Sequence, residues 1–241
     1  MPLPTIREFN SAADAAASAT ATTLTLTNAI SVGDRVFVIY TIEGFDTTSF
    51  PLTENLGNTI GAAVAGSRPN AGSYAIHSYT ATTGGTPTFT VTKNGGATTT
   101  VCSITAVVVS AASYNGVDGT YKVSNGTTSG ASVDCSIALD ASTMATNYIV
   151  TVMICSNTAR TTPTAKTESN VTYTNSAALN DIGASWFTQT RTQHGDTTAT
   201  GSFSPGWTLN KSNADEYRIV GFAIKGTTTD GSPTLMGQAC L

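Results

Sequence analysis

Val32–Gly44 reads VGDRVFVIYTIEG, and this stretch decides the fold. A turn at Gly33-Asp34 opens a run from Val36 to Ile42 of β-branched and aromatic side chains that suit a pleated sheet, and Gly44 closes it. Successive side chains of a strand point to opposite faces. Val36, Val38, Tyr40 and Ile42 therefore line one side, and Phe37, Ile39 and Thr41 the other. Both faces are largely apolar, whereas a strand with one wet face alternates with polar residues. A central strand is expected, its outer face covered by an arm, a loop or a partner.

Outward from this run the same reading recurs. Thr22–Thr27 alternates with Leu24 and Leu26 inward, and Thr88–Thr92 alternates as cleanly. Strands are also expected over Tyr74–Tyr79, Val101–Ser110, Val133–Leu139, Ile149–Ile154 and Tyr217–Ile224, with short ones ending near Val64 and at Val171–Thr174. Asn94-Gly95-Gly96 is the strongest hairpin signal. Ser185–Arg191 and Thr198–Phe203 read as a hairpin turning at Gly195-Asp196, and Tyr114–Ala131 as a Gly- and Ser-rich connection. About ten short strands without helical periodicity predict an all-β fold: a single antiparallel β-sandwich, jelly-roll-like, with extended N- and C-terminal arms. No internal repeat or linker is visible. The expected division is an arm over 1–18, a sandwich over 19–226 and a tail over 227–241. Four strands, centred on Val38, Val108, Val152 and Val220, are apolar on both faces. A two-layer sandwich buries only one face of each sheet, so loops, tails or another subunit must cover the surplus.

Composition narrows the function classes. Of 241 residues only 11% are charged, against about 25% in an ordinary soluble protein, and about one residue in five is threonine. A surface of hydroxyls and glycine suits proteins packed in assemblies or exposed outside cells. The net charge of −4 and the scattering of 11 Lys and Arg argue against nucleic acid or an anionic membrane as partner. No apolar span is long enough for a membrane helix. The first residues, MPLPTIREFNSAADAAASA, lack the basic-then-apolar order of a secretory leader. Synthesis in a host cytoplasm and residence in a virion released by lysis are expected. Cys102, Cys135, Cys155 and Cys240 show neither CxxC spacing nor the density of a disulfide scaffold, and read as small core or tail residues.

The strand opened by Val32-Gly33-Asp34, followed by Leu56-Gly57-Asn58-Thr59 and by Tyr79-Thr80-Ala81-Thr82-Thr83-Gly84-Gly85, resembles β-sandwich modules of phage virion proteins. So do Phe89-Thr90-Val91-Thr92 and the closing Arg218-Ile219-Val220-Gly221-Phe222-Ala223-Ile224-Lys225. The resemblance spans roughly residues 20 to 226 and rests on strand and turn signatures, which bacterial surface proteins also carry. It implies a capsid decoration (cement) protein, or a fibre component, with the major capsid protein or other virion subunits as partners. Self-association, as a trimer, is implied by the same analogy.

Catalytic chemistry is hard to find. His77 and His194 have no partners at metal-ligand spacing, and no nucleophile elbow or HExxH helix accompanies them. Asp118, Asp134, Asp140, Asp181, Asp196, Asp215 and Glu216 mostly occupy turn-like stretches, where Asp bonds its own backbone. Asn115–Gly119 and Asn213–Glu216 carry oxygen ligands for calcium but match no established loop. No catalytic, cofactor-binding or metal-binding residue is assigned, and a non-enzyme without cofactor is expected. Trp207, with Tyr114 and Tyr121, is the candidate platform for stacking on a sugar, although Trp207, like Trp186, reads equally as core. Candidate partner contacts are Phe37 and Ile39 on the outer strand face and Leu235 and Met236 in the tail.

Overall fold

The structure is a computed structural model that describes residues 3–13, 20–42, 50–66, 72–93, 101–128, 133–139, 147–156, 163–175, 188–197, 201–209 and 215–227. They form sixteen strands and no α-helix. The first eight are β1 (Ile6–Ala13), β2 (Ala21–Thr25), β3 (Arg35–Ile42), β4 (Leu52–Glu54), β5 (Val64–Gly66), β6 (Ser73–Thr80), β7 (Thr88–Thr92) and β8 (Cys102–Val109). A 3₁₀ turn at Ala111–Ser113 leads into β9 (Tyr114–Thr128), β10 (Val133–Ser136), β11 (Asn147–Ser156), β12 (Thr164–Ala165), β13 (Val171–Asn175), β14 (Thr188–Thr197), β15 (Gly206–Leu209) and β16 (Asp215–Gly226). The all-β antiparallel sandwich architecture read from strand patterning is therefore the fold.

The strand order repeats. Sheet order β1-β8-β3-β6-β5 with β2-β7-β4 recurs strand for strand as β9-β16-β11-β14-β13 with β10-β15-β12. In each half the antiparallel pairs nest, β1 with β8, β2 with β7 and β3 with β6, then β9 with β16, β10 with β15 and β11 with β14. That nesting is the winding of a jelly roll. The expectation of one sandwich without a repeat is corrected to two sandwiches of five and three strands. Repetition lies in the pairing: the β3 sequence RVFVIYTI and the β11 sequence NYIVTVMICS share apolar parity and little else.

Three apolar clusters follow. Val36, Val38, Tyr40, Ile42, Phe89 and Ile104 fill the first sandwich, and Ile149, Met153, Trp207, Leu209 and Ile219 fill the second. The third cluster is a seam between the outer faces of the two five-stranded sheets, where Phe37, Ile39, Ile76, Val107 and Val109 meet Val150, Val152, Val220, Phe222 and Ile224. The Phe37 and Phe222 rings lie 5.0 Å apart across it. Phe37 and Ile39 are 0% and 1% exposed, so these two expected partner contacts are covered by the chain's own second half. An apolar face must be buried, and a sheet of matching width later in the same chain does it. Leu235 and Met236 lie outside the described residues.

The N-terminal stretch expected as an arm contributes an edge strand, with β1 paired against β8 from Ile6↔Val109 to Ala13↔Ser103 and one register shift between Ile6 and Glu8. Buried charge holds it. Glu8 accepts the backbone amides of Thr27 and Asn28 at 2.6 and 2.7 Å, and Arg7 pairs with the buried Asp34 carboxylate at 2.6 Å. Carboxylates that accept backbone amides make stronger bonds than neutral pairs. Tyr114–Thr128, expected as a connection, is a fifteen-residue edge strand on β16 with two register shifts. An edge strand has a single neighbour and tolerates the glycines and polar residues that suggested a loop. Gly195-Asp196, expected as a hairpin turn, lies inside β14 and pairs with both β11 and β13. A Cβ at Gly195 would stand 2.1 Å from the Thr172 carbonyl oxygen, so the glycine serves close strand approach. The hairpin signal at 94–96 lies outside the described residues.

Candidate functional site: a cleft, a polar seam and an aromatic rim

In the first sandwich, β4 belongs to the three-stranded sheet and β5 to the five-stranded one. A cleft of about 320 Å³ lies between them, lined by Tyr40, Phe50, Pro51, Leu52, Ala63, Ala65 and His77. Its polar atoms are largely committed. The Tyr40 hydroxyl donates to the Phe50 carbonyl at 3.0 Å. His77 stacks on Tyr40 with ring centroids 5.8 Å apart, and its Nδ1–H donates to the Gly61 carbonyl at 2.9 Å. That bond places a proton on Nδ1 and orients the ring. The cleft is an apolar recess with one imidazole, and it holds no acid or nucleophile.

The seam carries the buried polar groups. At one end His194 stacks on Phe9 of β1 with centroids 3.7 Å apart, and its Nδ1 accepts the Tyr148 hydroxyl. Burial lowers His194 to about 4 and raises the Tyr148 phenol, the nearby Asp196 adding to the rise. Burial also raises the Asp196 carboxyl. Near neutral pH the imidazole is therefore uncharged and the phenol protonated. This is a bonded pair that ties β11 to β14 and gives Phe9 of β1 a ring to stack on, rather than a general base poised to act. At the other end the Thr41 hydroxyl bonds Ser103 at 2.7 Å and Thr190 at 3.1 Å, joining β3, β8 and β14. The Arg218 guanidinium lies 5.4 Å from the Tyr74 ring centroid, a cation–π contact across the seam.

Where β9 edges the seam, aromatic rings surround a cation. Arg35 lies 5.7 Å from the Phe37 ring and 5.8 Å from the Tyr114 ring, and its Nη2 donates to Ser78 Oγ at 2.5 Å. Tyr121 meets Phe222 edge-on at 5.2 Å. Tyr114 and Tyr121 are both half-buried, and burial raises the Tyr114 phenol against the opposing pull of Arg35. The rim has the parts of a weak sugar platform: ring faces to stack and a guanidinium to bond hydroxyls.

Of the residues singled out in sequence, the fold brings Tyr114 and Tyr121 together and removes Trp207 from them. Trp207 is 1% exposed in the core of the second sandwich and offers no face to a ligand. Trp186 lies outside the described residues. Asp118 sits on β9, Asp134 on β10 and Asp215 on β16, all within strands rather than turns. Sequence reading missed Arg35, Phe9 and Tyr148, whose roles depend on the seam. Among the described residues no group of three or more His, Cys, Asp or Glu is placed to hold a metal ion, and no helix is long and apolar enough to cross a membrane. Cys102 and Cys155 are buried in the cores of the two sandwiches. No family model matches the chain, and no curated protein and no solved structure matches it either.

Proposed function

We propose that the chain is a structural virion protein that decorates a phage capsid, attaching to the shell and to its own copies. The observation that supports this reading is composition, an all-β chain with only 11% charged residues, and its limit is set by the seam. The seam makes two sandwiches one braced block whose apolar sheet faces are satisfied internally, while large apolar side chains on its exposed surface are few: Leu3, Val32, Val64 and Val123 among the described residues. With the strand faces occupied, we assign attachment to residues beyond the described strands. The tail beyond β16, with Leu235 and Met236, is the segment we assign to the shell. The test is mass spectrometry of purified particles, together with co-sedimentation of the recombinant protein with shells that lack it. Stoichiometric presence and loss of co-sedimentation on deleting 228–241 are expected. Absence from particles, with a strictly monomeric protein at high concentration, refutes the reading.

The Tyr114–Arg35–Tyr121 rim supports a second reading, attachment of a virion to host-surface glycans. Glycan-array binding that disappears in Tyr121→Ala supports it. An array without signal removes it.

A further inference from the structure

Lys225 on β16 stands directly across the strand pair from Asn147 on β11. Directly opposed residues of an antiparallel pair share a face and hold their Cβ atoms about 5 Å apart, within the reach of a lysine side chain. Asn147 is 2% exposed, and its carboxamide is half-satisfied: Nδ2–H donates to Asp118 Oδ2 at 3.2 Å, whereas Oδ1 is buried with no hydrogen-bond partner. Asp118 comes from β9, the other neighbour of β16, in register with Ala223. Ala223 lies two residues before Lys225 and so on the same face, and its small side chain lets Asn147 and Asp118 meet above β16. Beside Lys225 is Gly116, where a Cβ would stand 3.7 Å from the lysine Cε. Three adjacent strands thus bring an amine, a carboxamide and a carboxylate to one end of the sheet.

We propose that Lys225 and Asn147 join in an intramolecular isopeptide bond, with Asp118 as the proton-transfer residue. The uncharged Lys225 Nζ attacks Asn147 Cγ. The Nζ–Cγ bond forms and the Cγ–Nδ2 bond breaks. Asp118, already hydrogen-bonded to Nδ2, takes a proton from the attacking nitrogen and delivers it to the departing one, which leaves as ammonia. One amine and one primary amide give one secondary amide and one ammonia, so the step needs no oxidant, metal or cofactor. Burial of Asn147 excludes the water that would otherwise compete with Lys225 for the amide carbon, and the opposed register supplies the proximity that makes an unactivated amide reactive. The product ties β11, at the centre of its sheet, to β16.

Intact-mass spectrometry of the full chain, denatured after purification, tests this. The expected mass is lower than that of the sequence by one ammonia, and digestion yields a branched peptide joining the Lys225 and Asn147 segments. Lys225→Arg and Asn147→Ala are expected at their full sequence masses. Asp118→Ala is expected to keep the uncrosslinked mass for much longer, with circular dichroism showing that each variant retains its strands. A folded wild-type chain that holds its full mass on prolonged incubation overturns the proposal. So does an ammonia loss without the branched peptide, because cyclisation of an asparagine onto its own backbone gives the same mass change.

Discussion

Phe37→Ala puts the seam to a quantitative test. Phe37 is completely buried, with Phe222 of the second sandwich on one side and Tyr114 of β9 on another, at ring distances of 5.0 and 6.1 Å. Removing the ring forfeits about 2–3 kcal/mol of transfer free energy. The lost aromatic pairing adds about 1 kcal/mol. A residual cavity between two flat sheets, which cannot collapse without shifting one of them, brings the expected loss to about 4 kcal/mol, within the usual range of about 3–5 for Phe→Ala. Urea unfolding measures the loss, and hydrogen exchange locates it. Amides of β3 and β8 are expected to lose protection together with those of β11 and β16, because the ring belongs to both halves. The double variant Phe37→Ala/Phe222→Ala is expected to fall short of the summed single losses by about 1 kcal/mol, the signature of direct contact. A loss below about 1 kcal/mol, or one confined to the first sandwich, refutes the reasoning.

Three further outcomes are expected. His194 titrates near 4 when folded and at its ordinary 6.5 when unfolded, so between these values the unfolded chain binds more protons and stability falls as pH drops from 6.5 toward 4. The ring is partly exposed, which reduces the full shift to about 2 kcal/mol. The raised Asp196 carboxyl works in the opposite sense, so the slope is read as the difference between wild type and His194→Gln in unfolding titrations. Glu8→Ala leaves the amides of Thr27 and Asn28 without their acceptor; a loss of about 2–3 kcal/mol is expected, with exchange rising first in β1, and unchanged exchange there contradicts the clamp. Gly72→Ala places a Cβ 2.6 Å from Ile154 Cδ1 and 2.8 Å from the Ile42 carbonyl oxygen, at a backbone φ of +98°; its melting temperature is expected to fall by several degrees, whereas a neutral result refutes the close approach.

Much of the fold was legible, and the reasons for the misses are physical. Strand parity over Val36–Ile42 and Ile149–Ile154 correctly reports that both faces are buried. Parity says that a face is covered and not what covers it, so Phe37 and Ile39 pointed to a partner where the answer was Phe222 and Val220 of the same chain. The repeat was hidden because a jelly roll is specified by nested pairing, which many apolar sequences satisfy. β14 was misread for a different reason. Thr190 and Gln193 are polar yet fully buried, since Thr41 bonds the Thr190 hydroxyl and Gln193 bonds the Lys166 carbonyl and the Gly206 amide. Buried polar residues with partners on distant strands look like surface in a sequence window. The rim was half legible: Tyr114 and Tyr121 stand out as aromatics, but Arg35 joins them only because β9 folds back along β16 beside β3.

The short passage at Ala111–Ser113 gives the seam a property no two-chain interface has. Val109 ends one sandwich and Tyr114 begins the next, so the two faces never separate farther than this tether permits, and their effective concentration is on the order of millimolar or higher. Their association is independent of how dilute the protein becomes. A block built in this way arrives assembled wherever it acts, and the pairing of its two halves is set by the chain alone rather than by the supply of a second subunit.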